Sequence, residues 1–355
     1  RTEAVTCAAR ERPVERCRLK CARMEQSARR EAPGVTSILG AASAFMGHAP
    51  VFQQLLIRMS TPSFCSQIAR SHDVAPMGTA TEAAHWLLIE DPSPWGRKAV
   101  READWHAAVA DSLAAWQAEV PDLRVQLIRR GLTTWDTPDR IRCMAVRAGP
   151  EGAVHTWTLD TYADLATLDV PAVVHSAEAS ADEEPIVLTC TNGRRDACCA
   201  KWGRPVAQAM AAAYPHGAWQ TSHLGGHRFA PTVLVLPHGT QYGWLAPDDA
   251  PAVVAAHRSD RLYALDRVRG HVGQSRPVQA ACLAVRARHG IHRIDAVHGE
   301  GIASTGTTWT VKVHTPDGPA TVEVRRVKQD VAFAHSCRSD ETKPCVAWVV
   351  DEHER

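Results

Sequence analysis

The sequence predicts an α/β fold, because short apolar runs typical of buried strands alternate with segments that have helical periodicity. Residues 86–89 (Trp-Leu-Leu-Ile) form one such run, which is followed by a turn containing two prolines. In residues 104–119, large apolar side chains recur at the spacing of one helix face. Residues 185–189 form another apolar run. The Ala-rich residues 204–213 indicate a second helix, with Pro205 in its first turn, where proline is tolerated.

The order of the predicted elements is most specific between residues 185 and 258. Two short strand candidates, residues 233–236 and 241–245, flank Pro-His-Gly-Thr, and this pattern predicts a hairpin. Residues 250–258 then have a helical pattern. The resulting order is strand, loop, helix, loop, hairpin and helix, which resembles the order of a thioredoxin-like domain.

The length of 355 residues favours two or three domains. We expect residues 1–60 to be a disordered or partly helical extension, because charged residues are frequent and large apolar residues are few at its start. An α/β region is expected over residues 63–176, a thioredoxin-like domain over 185–270 and a small α+β region over 271–355. The small and acidic residues 176–184 predict a linker. The sequence shows no internal repeat.

Composition and charge exclude several classes of partner. A net charge of +1 provides no overall field for nucleic acid, and no apolar run approaches the roughly 18 residues of a membrane span. No apolar segment of a secretory signal follows the basic N-terminus. Eleven irregularly spaced cysteines favour a reducing compartment, so we expect a cytoplasmic protein with thiols available for metal. The chain begins with Arg1, which is typical of a fragment or of a reading frame extended upstream of Met24 or Met46.

Two short motifs carry the chemistry of this chain. The first is Cys190-Thr-Asn-Gly-Arg-Arg-Asp-Ala-Cys198-Cys199, and the second, after 23 further residues, is His223-Leu-Gly-Gly-His227. A set of two cysteines and two histidines suits a zinc ion, and it equally suits an iron–sulfur cluster with two histidines on one iron. The two glycines disfavour a regular helix between the histidines and permit close approach of the backbone to a cluster.

The two motifs together resemble the signature of the sucrase/ferredoxin-like family, whose members are thioredoxin-like [2Fe-2S] ferredoxins. The matching pattern is Cys190-x₈-Cys199 followed by His223-x-Gly-Gly-His227, and the resemblance covers roughly residues 63–350. It implies a ferredoxin domain preceded by an α/β region and followed by a small α+β region. It also implies that Cys190, Cys199, His223 and His227 bind a [2Fe-2S] cluster. Cys198 is the alternative to Cys199, and the x₈ spacing favours Cys199.

This resemblance predicts an electron-transfer protein rather than an enzyme. Histidine ligands are neutral and carry a second ring nitrogen, so we expect a raised potential and a one-electron transfer coupled to a proton. The partner would be a reductase or acceptor protein. The alternatives are a structural zinc-binding protein and a thiol redox protein that uses Cys198 or Cys199, although the chain has no Cys-x-x-Cys motif. The spacing of the carboxylates identifies no catalytic pair of a hydrolase.

Overall fold

The structure, a computed structural model, describes residues 64–131, 139–176 and 184–352, which all belong to one unit of the chain, Pro62–Arg355. The predicted extension over residues 1–60 and most of the predicted linker lie outside the described residues. The helices are α1 (Cys65–Ser71), α2 (Ala99–Glu102), α3 (Ala107–Glu119), α4 (Val170–His175), α5 (Ala197–Ala213), α6 (Ala250–His257) and α7 (Arg276–His289).

Two sheets account for the strands of the described residues, and the predicted α/β class is confirmed. The larger sheet contains β1 (His85–Glu90), β2 (Leu123–Arg129), β3 (Ile141–Arg147), β4 (Ala153–Leu159), β5 (Ile186–Cys190), β6 (Ala218–Thr221), β7 (Thr232–Leu236), β8 (Thr240–Gly243) and β9 (Val268–His271). The smaller one is antiparallel and contains β10 (His298–Thr305), β11 (Thr308–Thr315), β12 (Gly318–Ala334) and β13 (Thr342–Glu352).

The predicted strand at residues 86–89 is confirmed as the buried centre of β1. Its side chains alternate between two cores on opposite faces of the sheet, as the period of a strand requires. Leu87 and Ile89 join the core under α3, while Trp86 and Leu88 join the core on the other face. Because both faces are covered, the strand is apolar along its whole centre rather than alternately apolar and polar.

The helices predicted at residues 104–119 and 204–213 are also present, but both begin at residues other than those predicted. Helix α3 begins three residues late, after His106, whose ring nitrogen accepts a hydrogen bond from the Ala108 N–H at 3.4 Å. Helix α5 begins at Ala197 rather than at residue 204, because Asp196 caps it by accepting from the Cys198 N–H at 3.0 Å. Pro205 therefore lies inside α5, and its predicted place in the first turn is wrong.

The larger sheet contains a structural repeat that the sequence does not show. In the first half, β1 is parallel to β2 and antiparallel to β3, which pairs with β4. In the second half, β5 is parallel to β6 and antiparallel to β7, which pairs with β8. The halves join through antiparallel β2 and β6. Each half thus has the same order of strands. The second half has the strand, helix, hairpin and helix expected for residues 185–258, and it adds β6 between α5 and the hairpin, where a loop was expected.

The smaller sheet packs against α7 and sends one long hairpin back toward the larger sheet. Three of its strands, β11, β12 and β13, contain residues 308–313, 320–324 and 346–350. At the far end of the hairpin, Phe333 and Cys345 pack with the α1 residue Ala69 and with Phe229 and Trp244. The loop that joins β12 to β13 therefore lies beside the beginning of α1.

Among the residues that the structure describes, none of the helices combines the length and the apolar character that a membrane crossing requires.

Candidate metal centre

Three of the four motif residues meet at one edge of the larger sheet. Cys190 is the last residue of β5, Cys199 lies in the first turn of α5, and His223 follows β6. Their donor atoms all lie within 4.8 Å of one another, with His223 Nδ1 at 3.9 Å from Cys190 Sγ and 3.7 Å from Cys199 Sγ. They meet because β5 and β6 are parallel neighbours, so the segments that follow both strands lie at the same edge.

His227 lies immediately beside this group. Its ring stacks on that of His223 with centroids 5.1 Å apart, and its Nε2 faces Asp196 Oδ2 at 3.6 Å. The other ring nitrogen, Nδ1, is buried and has no hydrogen-bond partner within the described part of the chain. A buried polar atom without a partner is costly, so this nitrogen is a donor available to a metal.

Two glycines set the turn between the histidines. Gly225 and Gly226 have φ angles of +93° and +69°, in the region that glycine adopts without strain. A Cβ at position 226 would collide with the guanidinium of Arg269, which is buried and donates to the Gly225 carbonyl at 3.0 Å. The chain then enters a short 3₁₀ turn at His227, so the expectation that the histidines do not share a regular α-helix is confirmed.

A third glycine, Gly203, allows α5 to pack closely against β5. Gly203 lies where the helix crosses the end of β5, and a Cβ there would collide with the carbonyl oxygen of Cys190. The helix can therefore pack closely enough for Cys199, one turn earlier, to reach Cys190. Sequence reasoning missed Gly203, although a glycine in the interior of an Ala-rich helix signals close packing.

Burial and hydrogen bonding set the protonation of the site. The pKa of Cys190 lies well below its usual value, chiefly because its thiolate accepts a hydrogen bond from Cys199 and is also stabilised by His223. The same hydrogen bond, together with burial, raises the pKa of Cys199. Burial lowers the pKa of His227 although nearby Asp196 opposes this, so the imidazole stays neutral, which is the form that binds metal.

A basic cleft of about 320 Å³ opens beside His223. Its lining includes the exposed Arg97, Lys98 and Arg101, together with the half-buried Arg195. Arg124 lies deeper and donates to the His223 carbonyl at 2.9 Å. His223 is thus the residue of the site that borders the cleft, whereas Cys190 and Cys199 are almost completely buried.

Cys198, the alternative ligand, lies in a different group. Its Sγ faces Cys65 Sγ at 3.5 Å and Cys337 Sγ at 3.1 Å, beside the Asp196 carboxylate. Sequence reasoning missed this group, because its cysteines are separated by 133 and 139 residues. The one local signal was the pair Cys198–Cys199, whose side chains leave the helix in different directions.

Comparison with known proteins identifies a family match. A model of the family described as Sucrase/ferredoxin-like matches residues 76–270, which is more than half of the chain. The matched range includes Cys190, Cys199, His223 and His227. No curated protein and no solved structure matches significantly.

Proposed function

Because this chain belongs to the sucrase/ferredoxin-like family, we propose that it is an electron-transfer protein that holds a [2Fe-2S] cluster. The ligands would be Cys190, Cys199, His223 and His227. The observation that carries this proposal is the convergence of two thiols and an imidazole within 4.8 Å, beside a buried histidine nitrogen without a partner.

The donor set fits such a cluster both in the chemical type of the ligands and in the distances between their donor atoms. Two thiolates and two imidazoles are a known ligand set for a two-iron centre, and one mononuclear zinc ion would need all four donors around a single point. Here three donors form a tight group, and His227 stands beside it rather than within it. This wider arrangement favours two metal ions over one.

Burial argues against a thiol redox protein. Cys190 and Cys199 are 0% and 1% exposed, so a disulfide substrate would not reach their sulfur atoms. Reactive cysteines of oxidoreductases are partly exposed, and the pair here is separated by eight residues rather than two. We therefore assign these thiols to metal binding.

A bound cluster would supply reversible one-electron transfer. The protein residues would set the reduction potential of the cluster and its access to a redox partner. Two thiolates and two neutral imidazoles carry less negative charge than four thiolates, which raises the potential. Asp196 would help to orient His227 electrostatically, because its carboxylate lies 3.6 Å from the His227 Nε2. His223 borders the cleft, so the shortest route for an electron to a partner passes through this ligand.

The proposal is tested on anaerobically purified protein by optical absorption and electron paramagnetic resonance, with iron, sulfide and zinc measured on the same sample. We expect a red-brown protein with about two irons per chain and a Rieske-like signal after reduction. A colourless protein without iron would contradict the proposal.

The midpoint potential is expected to fall as pH rises. Each histidine ligand of such a cluster has a second ring nitrogen that can exchange a proton. Reduction adds negative charge and raises the pKa of such a ligand, so the reduced protein binds a proton that the oxidised protein has lost. The expected slope is about 59 mV per pH unit between the two pKa values. Protein-film voltammetry from about pH 6 to 10 checks this, and a flat potential across that range would contradict proton coupling.

We also propose that an acidic redox partner docks at the basic cleft. Replacing Arg97 and Arg101 by Glu should slow oxidation of the reduced protein by ferricyanide on the order of tenfold at low salt. The same variant should speed oxidation by the cation tris(phenanthroline)cobalt(III), and both effects should shrink at high salt. Stopped-flow absorption measures these rates.

The matched control for the cleft is the double variant Arg326→Glu and Lys328→Glu, which changes net charge equally on the exposed surface of β12. If this control and the cleft variant alter the two rates by the same factor, overall charge rather than the cleft steers the reagents, and the docking proposal fails.

A further inference from the structure

The cluster of Cys65, Cys198 and Cys337 has the dimensions of a metal site. Its three Sγ atoms form a triangle with edges of 3.5, 3.1 and 3.6 Å for Cys65–Cys198, Cys198–Cys337 and Cys65–Cys337. Three thiolates on one tetrahedral zinc ion, with Zn–S bonds near 2.3 Å, have S···S separations of about 3.8 Å. Small outward rotations of these side chains would therefore admit the ion.

A fourth donor lies beside the triangle. Asp196 Oδ2 accepts hydrogen bonds from Ser336 Oγ and the Cys337 N–H, each at 2.9 Å, so its two lone pairs are both used. Asp196 Oδ1 accepts from the Cys198 N–H at 3.0 Å and, at 4.0 Å, from the Cys65 thiol. If Cys65 loses its proton to bind a metal, the second lone pair of Oδ1 would be released for that metal, on a carboxylate whose position is fixed by three other hydrogen bonds.

Groups with full or partial positive charge lie close to this site. Cys198 is the second residue of α5, a 17-residue helix whose N-terminal end carries partial positive charge. The Cys65 N–H approaches Cys337 Sγ at 3.4 Å, and the half-buried Arg228 interacts with Cys65. These groups offset part of the negative charge that three thiolates and a carboxylate would bring together.

We propose that Cys65, Cys198, Cys337 and Asp196 bind a structural zinc ion, separate from the site of Cys190 and Cys199. Four protein donors around one point, of which only Cys337 is partly exposed, make a closed site without a position for substrate. A disulfide would join two sulfurs at about 2.05 Å and leave the third aside, whereas the three separations here are nearly equal.

Such a zinc ion would tie together segments that are far apart in the sequence. Cys65 begins α1, Cys198 begins α5, and Cys337 lies in the loop between β12 and β13. Cys65 and Cys337 lie outside residues 76–270, so the site joins both flanks of the family region to its metal-binding loop. It would also hold Asp196 in place, and this carboxylate faces His227.

The test is the zinc and iron content of the full chain and of three variants, Cys198→Ala, Cys337→Ala and Cys345→Ala, purified anaerobically without added metal. Cys345 is a matched control because it is buried in the same hairpin but lies outside the triangle. We expect about one zinc per chain in the wild type and in Cys345→Ala, and none in the other two variants. Cys337 lies in a partly exposed loop, so its variant should fold, and circular dichroism verifies this.

A second measurement uses cobalt as the probe. The metal-free wild type titrated with Co²⁺ should develop a thiolate-to-cobalt absorption band, which Cys337→Ala should lose. Zinc retained by both Cys198→Ala and Cys337→Ala, or a Cys198–Cys337 disulfide found by mass spectrometry in the anaerobic wild type, would overturn the proposal. The iron content tests the other site independently. If the wild type lacks iron but binds zinc, and the two variants lose that zinc, the zinc site is supported and the proposed cluster is contradicted.

Discussion

Replacing Cys190 by Ala is expected to abolish iron binding and the visible absorption of the purified protein. Cys190 ends β5, is fully buried and carries the lowered pKa of the thiol pair, so it supplies a thiolate already formed in the folded chain. Among the residues that the structure describes, no neighbouring thiol can substitute for it, because Cys199 is needed as the second ligand and Cys198 faces Cys65 and Cys337. Iron analysis and absorption spectra of Cys190→Ala and the wild type measure the effect.

The matched control for this variant is Cys143→Ala. Cys143 is a buried cysteine in β3 whose pKa is raised to about 12 by burial alone, and it packs in the core under α3. Its replacement should cost similar packing energy but leave the iron content unchanged. Cys199→Ala should behave like Cys190→Ala, and Cys198→Ala should keep its iron. A cluster of full strength in Cys190→Ala would remove the proposed ligand assignment.

Replacing His227 by Cys is expected to keep a cluster but to lower its midpoint potential by a few hundred millivolts, on the order of the difference between Rieske-type and plant-type centres. The variant exchanges a neutral ligand for an anionic one, and added negative charge disfavours reduction. It also removes the ring nitrogen that faces Asp196, so the dependence of the potential on pH should weaken. Spectroelectrochemical titration at several pH values measures both effects.

His216→Cys is the matched control for the potential. His216 is exposed and lies beyond the C-terminal end of α5, whose 17 residues separate it from the site by about 25 Å. Its replacement introduces the same thiol without touching a proposed ligand, so the potential should not change. Equal potentials in the wild type and in a His227→Cys variant that retains its cluster would show that His227 is not a ligand.

The structural repeat shows that the strand order alone does not create the candidate metal centre. β1 and β5 occupy corresponding positions in the two halves of the larger sheet, but β5 ends at Cys190 whereas β1 ends at Glu90. In the described residues of the first half, Cys143 is the one cysteine between β1 and α4, and it lies within β3. The proposed function therefore depends on side chains that only the second half carries at the sheet edge.

The features that the sequence by itself determined are local ones. The apolar runs of β1 and β5, the helical pattern of α3 and the non-helical turn at Gly225 and Gly226 follow from residue type and spacing within short segments. The family was also recognisable, because its motif depends on spacing within residues 190–227. The start of α5 was predicted wrongly, although the capping residue Asp196 was present as a signal.

Only the tertiary structure decided which distant residues meet. The neighbours that Cys198 and Cys199 meet depend on how Gly203 packs the helix on β5, and the grouping of Cys65 with Cys337 depends on the path of a long hairpin. The repeat of strand order was hidden because strand pairing requires an apolar pattern and not the same residues. Contacts between residues far apart in sequence have no fixed spacing, so no local pattern could have placed Cys65, Cys198 and Cys337 together.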